Sequence, residues 1–174
     1  IEGYMVTSDE NFGAVKSVLS SIKNKETIKA LSLSDAGIVQ GFKEKFNEIE
    51  SYGIDMIFSN DDEAMAFAET ENFRNAINFY KNKTYMTVIT KGSEGSIIIN
   101  NGKEIFSPAV SIEPIDTNGA GDMYAGSFMH AYLRGFELSK CAEFANYASS
   151  KIVQTFGPRL TPEGYKEVLK KLKK

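Results

Sequence analysis

One segment combines small residues with a carboxylate at the start of a predicted helix: Asp116-Thr117-Asn118-Gly119-Ala120-Gly121-Asp122. Residues 105–115 before it are rich in β-formers, and residues 123–134 after it have the apolar spacing of an amphipathic helix. A glycine-rich turn before a helix leaves main-chain N–H groups unpaired, and the helix dipole favours negative charge there. Because glycine and alanine let a phosphate approach the backbone closely, the segment predicts a phosphate site.

The position of Asp122 beside this turn indicates catalysis. A carboxylate makes little sense next to a site that only binds an anion, but it is suited to take a proton from a hydroxyl that then attacks the anion. The N–H groups of Gly119, Ala120 and Gly121 would neutralise charge on the transferred group. The simpler alternative is that Asp122 only stabilises the first helical turn, which is worth about 0.3–1 kcal/mol.

Two further motifs follow predicted strands. Asn60 and Glu63 follow residues 54–58 and have the spacing of a helix capping box, which spacing alone favours. The segment Thr90–Gly95 follows residues 86–89 and, taken alone, indicates a β-turn between two strands. Because ligands of parallel sheets bind beyond the carboxyl ends of the strands, both motifs are expected to share one site with the glycine-rich turn.

The segment Asp116–Gly135 resembles the C-terminal signature of the ribokinase-like (PfkB) carbohydrate kinases, which include adenosine kinases. Asn60–Glu63 resembles the Asn-x-x-Glu motif of this family, and Thr90–Gly95 resembles its Thr-x-Gly-x-x-Gly nucleotide loop. Ala145–Ala148, followed by Gly157-Pro158, resembles its adenine-side helix and the loop after it. Four motifs in the right order are more specific than any one of them, and together they cover nearly the whole chain.

The resemblance implies an ATP-dependent phosphotransferase, a kinase that moves the γ-phosphate of ATP to a hydroxyl of a small-molecule sugar or nucleoside. Adenosine is one candidate acceptor. Asp122 would be the general base, and the N–H groups of Gly119, Ala120 and Gly121 would hold the transferred phosphoryl group. ATP and Mg²⁺ are the implied cofactors.

The resemblance also assigns binding residues. The residues implied to contact the nucleotide are Thr90, Gly92, Gly95, Asn146 and Ala148. For Asn146 and Ala148 the alternative is ordinary helix surface and core. Asn60 and Glu63 would hold a water shell around Mg²⁺ and the phosphates, a role that is compatible with helix capping because magnesium commonly keeps several of its waters.

A monovalent-cation site for K⁺ is implied around the carboxylate of Asp116. The backbone carbonyls of Asn118, Val153 and Gly157 would be its neighbours. A bound potassium ion would orient the anion-binding turn and help to compensate the phosphate charge. The alternative is that Asp116 is a turn-forming aspartate bonded to its own backbone, and no local spacing decides between the two.

Strand-like and helix-like segments alternate along the chain, which predicts an α/β fold with a mostly parallel sheet flanked by helices. Asn100-Asn101-Gly102 predicts an antiparallel hairpin within it. Residues 1–6 have a strand-like pattern, and the apolar spacing over residues 39–49 predicts one helix. The family resemblance implies the three-layer ribokinase-like fold.

Whole members of the resembled family are much longer, so residues 1–174 are expected to be a single, incomplete domain. This domain would be the C-terminal nucleotide-binding and catalytic part, with the N-terminal part and the lid missing. A strand-like start without methionine suggests that the chain begins upstream. The resemblance places most acceptor contacts in the missing half and dimer contacts in the lid. The chain alone is therefore expected to be inactive, and a homodimer is expected only of the full-length protein.

Composition argues against several other classes. The 174 residues are 42% hydrophobic and 25% charged, which is typical of one soluble domain, and no apolar run is long enough to span a membrane. The net charge of −3 argues against a nucleic-acid partner, and the basic end (Lys170, Lys171, Lys173 and Lys174) is interpreted as the close of a last helix. The single cysteine, Cys141, excludes an internal disulfide and fits a cytoplasmic location.

Two other function classes compete with a kinase. A non-catalytic nucleotide-binding regulatory module would keep the same phosphate site without turnover. A dinucleotide-binding domain would need Gly-x-Gly-x-x-Gly after its first strand, whereas the glycines here have a different spacing and come late in the chain. The sequence therefore favours the kinase over the dinucleotide-binding domain.

Overall fold

The computed structural model describes residues 1–22 and 26–172, so that Lys173 and Lys174 of the basic end lie outside the described residues. The helices are α1 (Asp9–Ser21), α2 (Ala36–Gly41), α3 (Lys43–Ser51), α4 (Asp61–Phe67), α5 (Phe73–Lys81), α6 (Ala120–Tyr132), α7 (Leu138–Ile152) and α8 (Pro162–Lys170). The strands are β1 (Ala30–Ser32), β2 (Met56–Asn60), β3 (Met86–Thr90), β4 (Gly95–Asn100) and β5 (Lys103–Pro108). Among the described residues, no helix has both the length and the apolar character that crossing a membrane requires.

The five strands form one sheet in the order β1-β2-β3-β4-β5. β1 and β2 are parallel, with Ala30 opposite Met56 and Ser32 opposite Phe58. The turn Asn101-Gly102 joins β4 to β5, and its two φ angles are +49° and +74°. A type I′ hairpin needs a positive φ at both turn residues, so the predicted hairpin is confirmed. The predicted α/β class, with a mixed sheet flanked by helices, is also confirmed.

The chain forms two compact units. Unit 1 comprises Ile1–Ile89 and Ile99–Glu104, and unit 2 comprises Thr90–Ile98 and Ile105–Lys174. The glycine-rich turn and the Thr90–Gly95 loop both belong to unit 2, whereas Asn60 and Glu63 belong to unit 1.

An aromatic cluster forms part of the core of unit 1. Phe46, Phe67 and Tyr80 are almost fully buried, and the ring centroid of Phe67 lies 6.4 Å from that of Phe46 and 6.3 Å from that of Tyr80. The Tyr80 hydroxyl donates to the Ala64 carbonyl at 3.1 Å, so its polar end is satisfied within the core. Residues 56–59 of β2 are all buried, as expected for a parallel strand that is covered on both faces.

The strand predicted over residues 1–6 is wrong. Gly3–Thr7 forms a 3₁₀ turn, and Glu2 makes one isolated parallel bridge with Ser32. The first N–H of the turn donates to the Ser34 hydroxyl at 2.9 Å instead of continuing a sheet ladder. Because this partner is distant in sequence, the local pattern of residues 1–6 could not reveal it.

The single helix predicted over residues 39–49 is also wrong, because the chain bends at Phe42. Phe42 has φ −124° and ψ 28°, which divides the segment into α2 and α3. Its N–H closes α2 by donating to the Ile38 carbonyl at 2.9 Å, and its carbonyl accepts from the Phe46 N–H at 3.2 Å. The preceding Gly41 lowers helix propensity at the break.

In unit 2, α6 and α7 pack against each other. Their fully buried residues are mostly small: Ala131, Cys141, Ala142, Ala145 and Ala148. The Cys141 thiol donates to the Phe136 carbonyl at 3.4 Å, and burial raises its pKa to about 11. Cys141 is therefore a packing residue whose thiol stays protonated at neutral pH.

Gly95 opens β4 with a backbone conformation that favours glycine. Its φ is +119° and its ψ is −133°. A Cβ added there would lie 2.1 Å from the Ser107 carbonyl oxygen and 2.6 Å from the Ala109 nitrogen. The segment after β5 can therefore approach β4 only because residue 95 has no side chain.

We expect Gly95→Ala to destabilise the chain by at least about 2 kcal/mol, since strained backbone alone costs about 1–3 kcal/mol and the methyl group would also collide. Gly13→Ala on α1 is the matched control, because apart from its chain neighbours and the nearby backbone of its own helix no atom lies within 4 Å of its added Cβ. Alanine should stabilise that helix by about 0.5–1 kcal/mol. Urea unfolding followed by circular dichroism measures both changes, and a Gly95→Ala variant as stable as the parent would contradict this geometry.

Candidate active site

The conformation of the glycine-rich turn requires glycine at position 119. Gly119 precedes α6 with φ +75°, and no side chain caps this helix. A Cβ on Gly119 would lie 2.8 Å from the Pro158 Cβ and 3.0 Å from the Pro158 carbonyl oxygen. Gly119 is therefore required both by its left-handed conformation and by the close approach of the loop after α7.

The N–H groups at this helix start differ in availability. The Ala120 N–H donates to the Thr117 carbonyl at 3.2 Å. For Gly119 and Gly121, no described residue offers an acceptor to the N–H. Of the three N–H groups predicted to bind a phosphate, two are thus open and one is engaged in the turn. Two open donors at the positive end of a helix dipole can bind an anion.

Asp122 lies in the first turn of α6 with an exposed side chain. Its carboxylate makes no hydrogen bond or ion pair with any described residue. It borders a cavity of about 580 Å³ that is also lined by Met123, Arg159 and Tyr165. An unengaged carboxylate beside open N–H donors can accept a proton from a bound hydroxyl.

A second cavity, of about 370 Å³, lies on the other side of the α6 start, within unit 2. It brings together most of the predicted nucleotide residues with the turn: Thr90, Gly92, Gly95, Ala120, Gly121 and Asn146. We call it the turn cavity. Its combination of polar groups, glycines and an open helix start suits a ligand with an anionic end.

Ala148 does not line the turn cavity, contrary to its predicted role. α7 presents Asn146, Ser149, Ser150 and Val153 to the cavity, which is the i, i+3, i+4, i+7 face of a helix. Ala148 falls on another face and is fully buried. Of the two residues predicted on α7, only Asn146 lines this cavity.

The segment after β5 supplies lining residues that the sequence did not reveal. Residues 109–112 and Pro114 border the turn cavity, as does Tyr124 of α6. Residues 105–115 are rich in β-formers, but β5 ends at Pro108 and irregular backbone follows. The glycine at position 95 is a local sequence signal for this side of the cavity, because only glycine allows the segment after β5 to come so close to β4. The Ala109 N–H donates to the Glu94 carbonyl at 3.3 Å at this contact.

Asp116 ties the turn to the loop after α7. One carboxylate oxygen accepts from the Asn118 N–H and the other from the Gly157 N–H, both at 2.9 Å. These N–H groups, that of Asn118 first, hold the pKa of the Asp116 carboxyl below its usual range. The bond from the Asn118 N–H is the one expected of a turn-forming aspartate bonded to its own backbone. The bond from the Gly157 N–H also connects the turn to the loop after α7.

One of the predicted potassium ligands, the Val153 carbonyl, is already engaged by main-chain donors. The Val153 carbonyl already accepts from the N–H groups of Ile115, at 2.7 Å, and Asp116, at 3.2 Å. Both of its lone pairs are thereby used. Gly157 presents its N–H, not its carbonyl, to the Asp116 carboxylate. Main-chain donors thus contact both the Asp116 carboxylate and the Val153 carbonyl, and the potassium site stays a prediction.

Asn60 and Glu63 form the capping box of α4 in unit 1. The Asn60 Oδ1 accepts from the Glu63 N–H at 2.8 Å, and the Glu63 carboxylate accepts from the Asn60 N–H at 3.0 Å and from Asn60 Nδ2 at 2.8 Å. Burial raises the pKa of the Glu63 carboxyl, and the Asn60 N–H acts in the opposite direction. Among the described residues, no three His, Cys, Asp or Glu side chains form a metal cluster.

Comparison with known proteins identifies the family. The sequence profile of the pfkB family carbohydrate kinases matches residues 2–163. A nucleoside kinase from Methanocaldococcus jannaschii is 32% identical over 111 residues, covering 61% of this chain and 37% of that protein. The structure of adenosine kinase from Sinorhizobium meliloti aligns with a TM-score of 0.90 and 27% identity, covering 97% of this chain and 52% of that one.

A putative ribokinase II from E. coli aligns with a TM-score of 0.82 over 99% of this chain and 58% of its own, at 16% identity, and so shows the shared fold. The predicted ribokinase-like fold is therefore confirmed. This chain spans between 37% and 58% of the length of these three proteins. With the profile matching nearly all of its length, the chain belongs to the pfkB family of carbohydrate kinases.

Proposed function

We propose that this chain carries the nucleotide-binding and catalytic part of an ATP-dependent kinase that phosphorylates a hydroxyl of a nucleoside or sugar. The observation that carries the proposal is the start of α6. There the N–H groups of Gly119 and Gly121 are open, and the Asp122 carboxylate beside them is unengaged. Membership of the pfkB family of carbohydrate kinases supports a kinase. The open N–H groups and the carboxylate suit such an enzyme, because phosphoryl transfer needs alignment and charge neutralisation more than covalent chemistry.

In the proposed reaction, Asp122 accepts the proton of the acceptor hydroxyl. The hydroxyl oxygen forms a bond to the γ-phosphorus of ATP while the bond from that phosphorus to the bridging oxygen breaks, and ADP leaves. The N–H groups of Gly119 and Gly121 donate to the oxygens of the transferred group. Asp122 returns its proton to solvent when the product leaves.

The turn cavity is the proposed nucleotide site. Its volume of about 370 Å³ is within the range of small-ligand pockets. The adenine ring of ATP would lie between the Thr90–Gly95 loop and Asn146, and the phosphates would extend towards the start of α6. This orientation places negative charge at the open end of the helix dipole.

For magnesium we propose a water-mediated contact with Glu63. Each oxygen of the Glu63 carboxylate accepts one hydrogen bond from Asn60 and retains a second lone pair, which fits a water-mediated contact. When bound, Mg²⁺ would neutralise phosphate charge. Helix capping and this role use different lone pairs of the same carboxylate, and no step is assigned to potassium.

For the acceptor, we propose a nucleoside or a sugar, with adenosine the first to test. Two of the similar proteins are a nucleoside kinase and an adenosine kinase. Because this chain spans about half the length of such proteins, the acceptor contacts and the complete activity are proposed for a protein that includes the remaining part.

A non-catalytic nucleotide-binding module is the alternative. It would share the turn cavity and the open N–H donors but would have no use for the Asp122 carboxylate. The Asp122→Asn variant therefore separates the two functions.

In the full-length protein, we expect Asp122→Asn to lower kcat by about 10²–10⁴-fold, because it removes the general base. ATP affinity should change by less than about threefold, since the open N–H donors are unaltered. Steady-state kinetics with ATP, Mg²⁺ and adenosine or a sugar panel, together with ATP binding, measure both. Equal rates in variant and parent would remove the catalytic role of Asp122.

The 174-residue chain alone should bind ATP weakly and show negligible turnover, because acceptor contacts are proposed to lie outside it. Isothermal titration with ATP and a coupled ADP-release assay with the same acceptor panel measure the two properties. Robust phosphorylation by this chain would overturn the proposed division of the site.

We expect Asp116→Asn to weaken the loss of melting temperature that acid pH causes in the parent protein. The folded-state pKa of Asp116 lies below its ordinary value of 3.8. Its stabilising contribution is therefore present above pH 3.8 and is lost as the pH falls through the lower, folded-state pKa. Melting temperatures measured from pH 2 to pH 7 should show parent above variant at neutral pH and convergence in acid. Parallel profiles would mean that the two N–H bonds to Asp116 do not stabilise the fold.

A further inference from the structure

A cluster of polar side chains lies between the elements of unit 2 beside the turn cavity. Its members are Ser96 of β4, Ser107 of β5, Tyr124 of α6 and Asn146 of α7, and all four are buried. Buried polar groups are costly unless they are hydrogen-bonded, so the contacts within such a cluster are strongly determined.

The Asn146 amide is the centre of this cluster. Its Nδ2 donates to the Ser107 carbonyl at 3.1 Å, to the Ser107 hydroxyl at 3.0 Å and to the Ser96 hydroxyl at 3.2 Å. The Tyr124 hydroxyl donates to the same Ser96 oxygen at 2.7 Å. Three acceptors on one side thus surround a group that has two hydrogens to donate.

These contacts fix which way the amide faces. The Ser107 carbonyl can only accept, so the nitrogen must face it, and a flipped amide would place two oxygens against each other. The Asn146 Oδ1 therefore faces away from the two serines. No described residue donates to this oxygen, it is not sealed from solvent, and Asn146 lines the turn cavity.

An oxygen held in this way can accept a hydrogen bond from a ligand but cannot donate one. The exocyclic amino group of adenine offers such a donor. The oxygen of a 6-keto purine would instead meet the Asn146 oxygen and lose its own hydration. A site with a fixed polar group rejects the unmatched ligand more strongly than an apolar pocket does.

We propose that Ser96 and Ser107 are positioning residues that hold the Asn146 amide with Oδ1 towards the turn cavity and so select a nucleotide with an amino-bearing base. This inference rests on the proposed function, in that it takes the turn cavity as the nucleotide site. The serines act through Asn146 and do not touch the base.

The test compares the dissociation constants of ATP and ITP, which differ in the amino or keto group at C6, by NMR titration of the 174-residue chain. The parent should bind ATP about tenfold more tightly or better, the factor expected for one matched hydrogen bond. Ser96→Ala/Ser107→Ala removes two of the three acceptors that hold Nδ2 and leaves only the Ser107 main-chain carbonyl, so the amide is held less firmly and the preference should fall to about threefold or less. Asn146→Ala should abolish the preference. Thermal melts establish that each variant is folded.

Coupling to Asn146 separates positioning from a merely structural role. Adding the two serine changes to Asn146→Ala should alter the ATP preference no further, because the group they orient is gone. Ser127→Ala is the matched control: Ser127 is also a buried serine of unit 2, but it does not line the turn cavity, so the preference should stay within about twofold of the parent. If the double serine variant fails to fold, Ser107→Ala should still lower the preference by at least about twofold.

Three outcomes would overturn the inference alone: equal binding of ATP and ITP by the parent, serine variants that weaken both nucleotides by the same factor, or an equal effect of the serine changes in the Asn146→Ala background. Failure of the folded parent to bind either nucleotide would instead overturn the nucleotide site itself, and this inference with it. Detectable ATP binding thus distinguishes failure of the inference from failure of the proposed function.

Discussion

The left-handed backbone of Gly119, packed against Pro158, is the constraint on which the site depends. It turns the chain into α6 without a side-chain cap, which leaves the N–H groups of Gly119 and Gly121 open. The loop that meets Gly119 is held by Asp116, whose carboxylate accepts the Gly157 N–H as well as a donor within the turn. A side chain at position 119 would therefore disturb the helix start and the adjoining loop together.

This geometry concentrates the proposed chemistry within unit 2. The turn cavity lies on one side of the α6 start, and the exposed Asp122 borders a different cavity on the other side. A phosphoryl group held at Gly119 and Gly121 would thus lie between the rest of the nucleotide and the general base Asp122. In-line transfer to a hydroxyl requires the leaving group and the attacking oxygen on opposite sides of the phosphoryl group. In unit 1, Asn60 and Glu63 are bonded to each other as a helix cap.

Features encoded locally were predictable, and features that depend on distant contacts were not. The Asn101-Gly102 hairpin and the placement of Asp122 in the first turn of a helix follow from residues adjacent in sequence. The conformation of the first residues instead depends on a hydrogen bond from the Gly3 N–H to the Ser34 hydroxyl. The Val153 carbonyl accepts from the N–H groups of Ile115 and Asp116, which lie nearly forty positions away in the sequence. Ala148 shows a further limit: the motif includes it, but packing between α6 and α7 decides which face of α7 meets the cavity, and Ala148 is buried on another face.

An NMR titration of the ¹⁵N-labelled chain with ATP tests most directly whether the start of α6 holds the phosphates. The amide resonances of Gly119 and Gly121 should shift strongly, and that of Ala120 less, because its N–H stays bonded to the Thr117 carbonyl. If ATP shifts other resonances and leaves those of Gly119 and Gly121 unchanged, phosphate binding at this turn is contradicted.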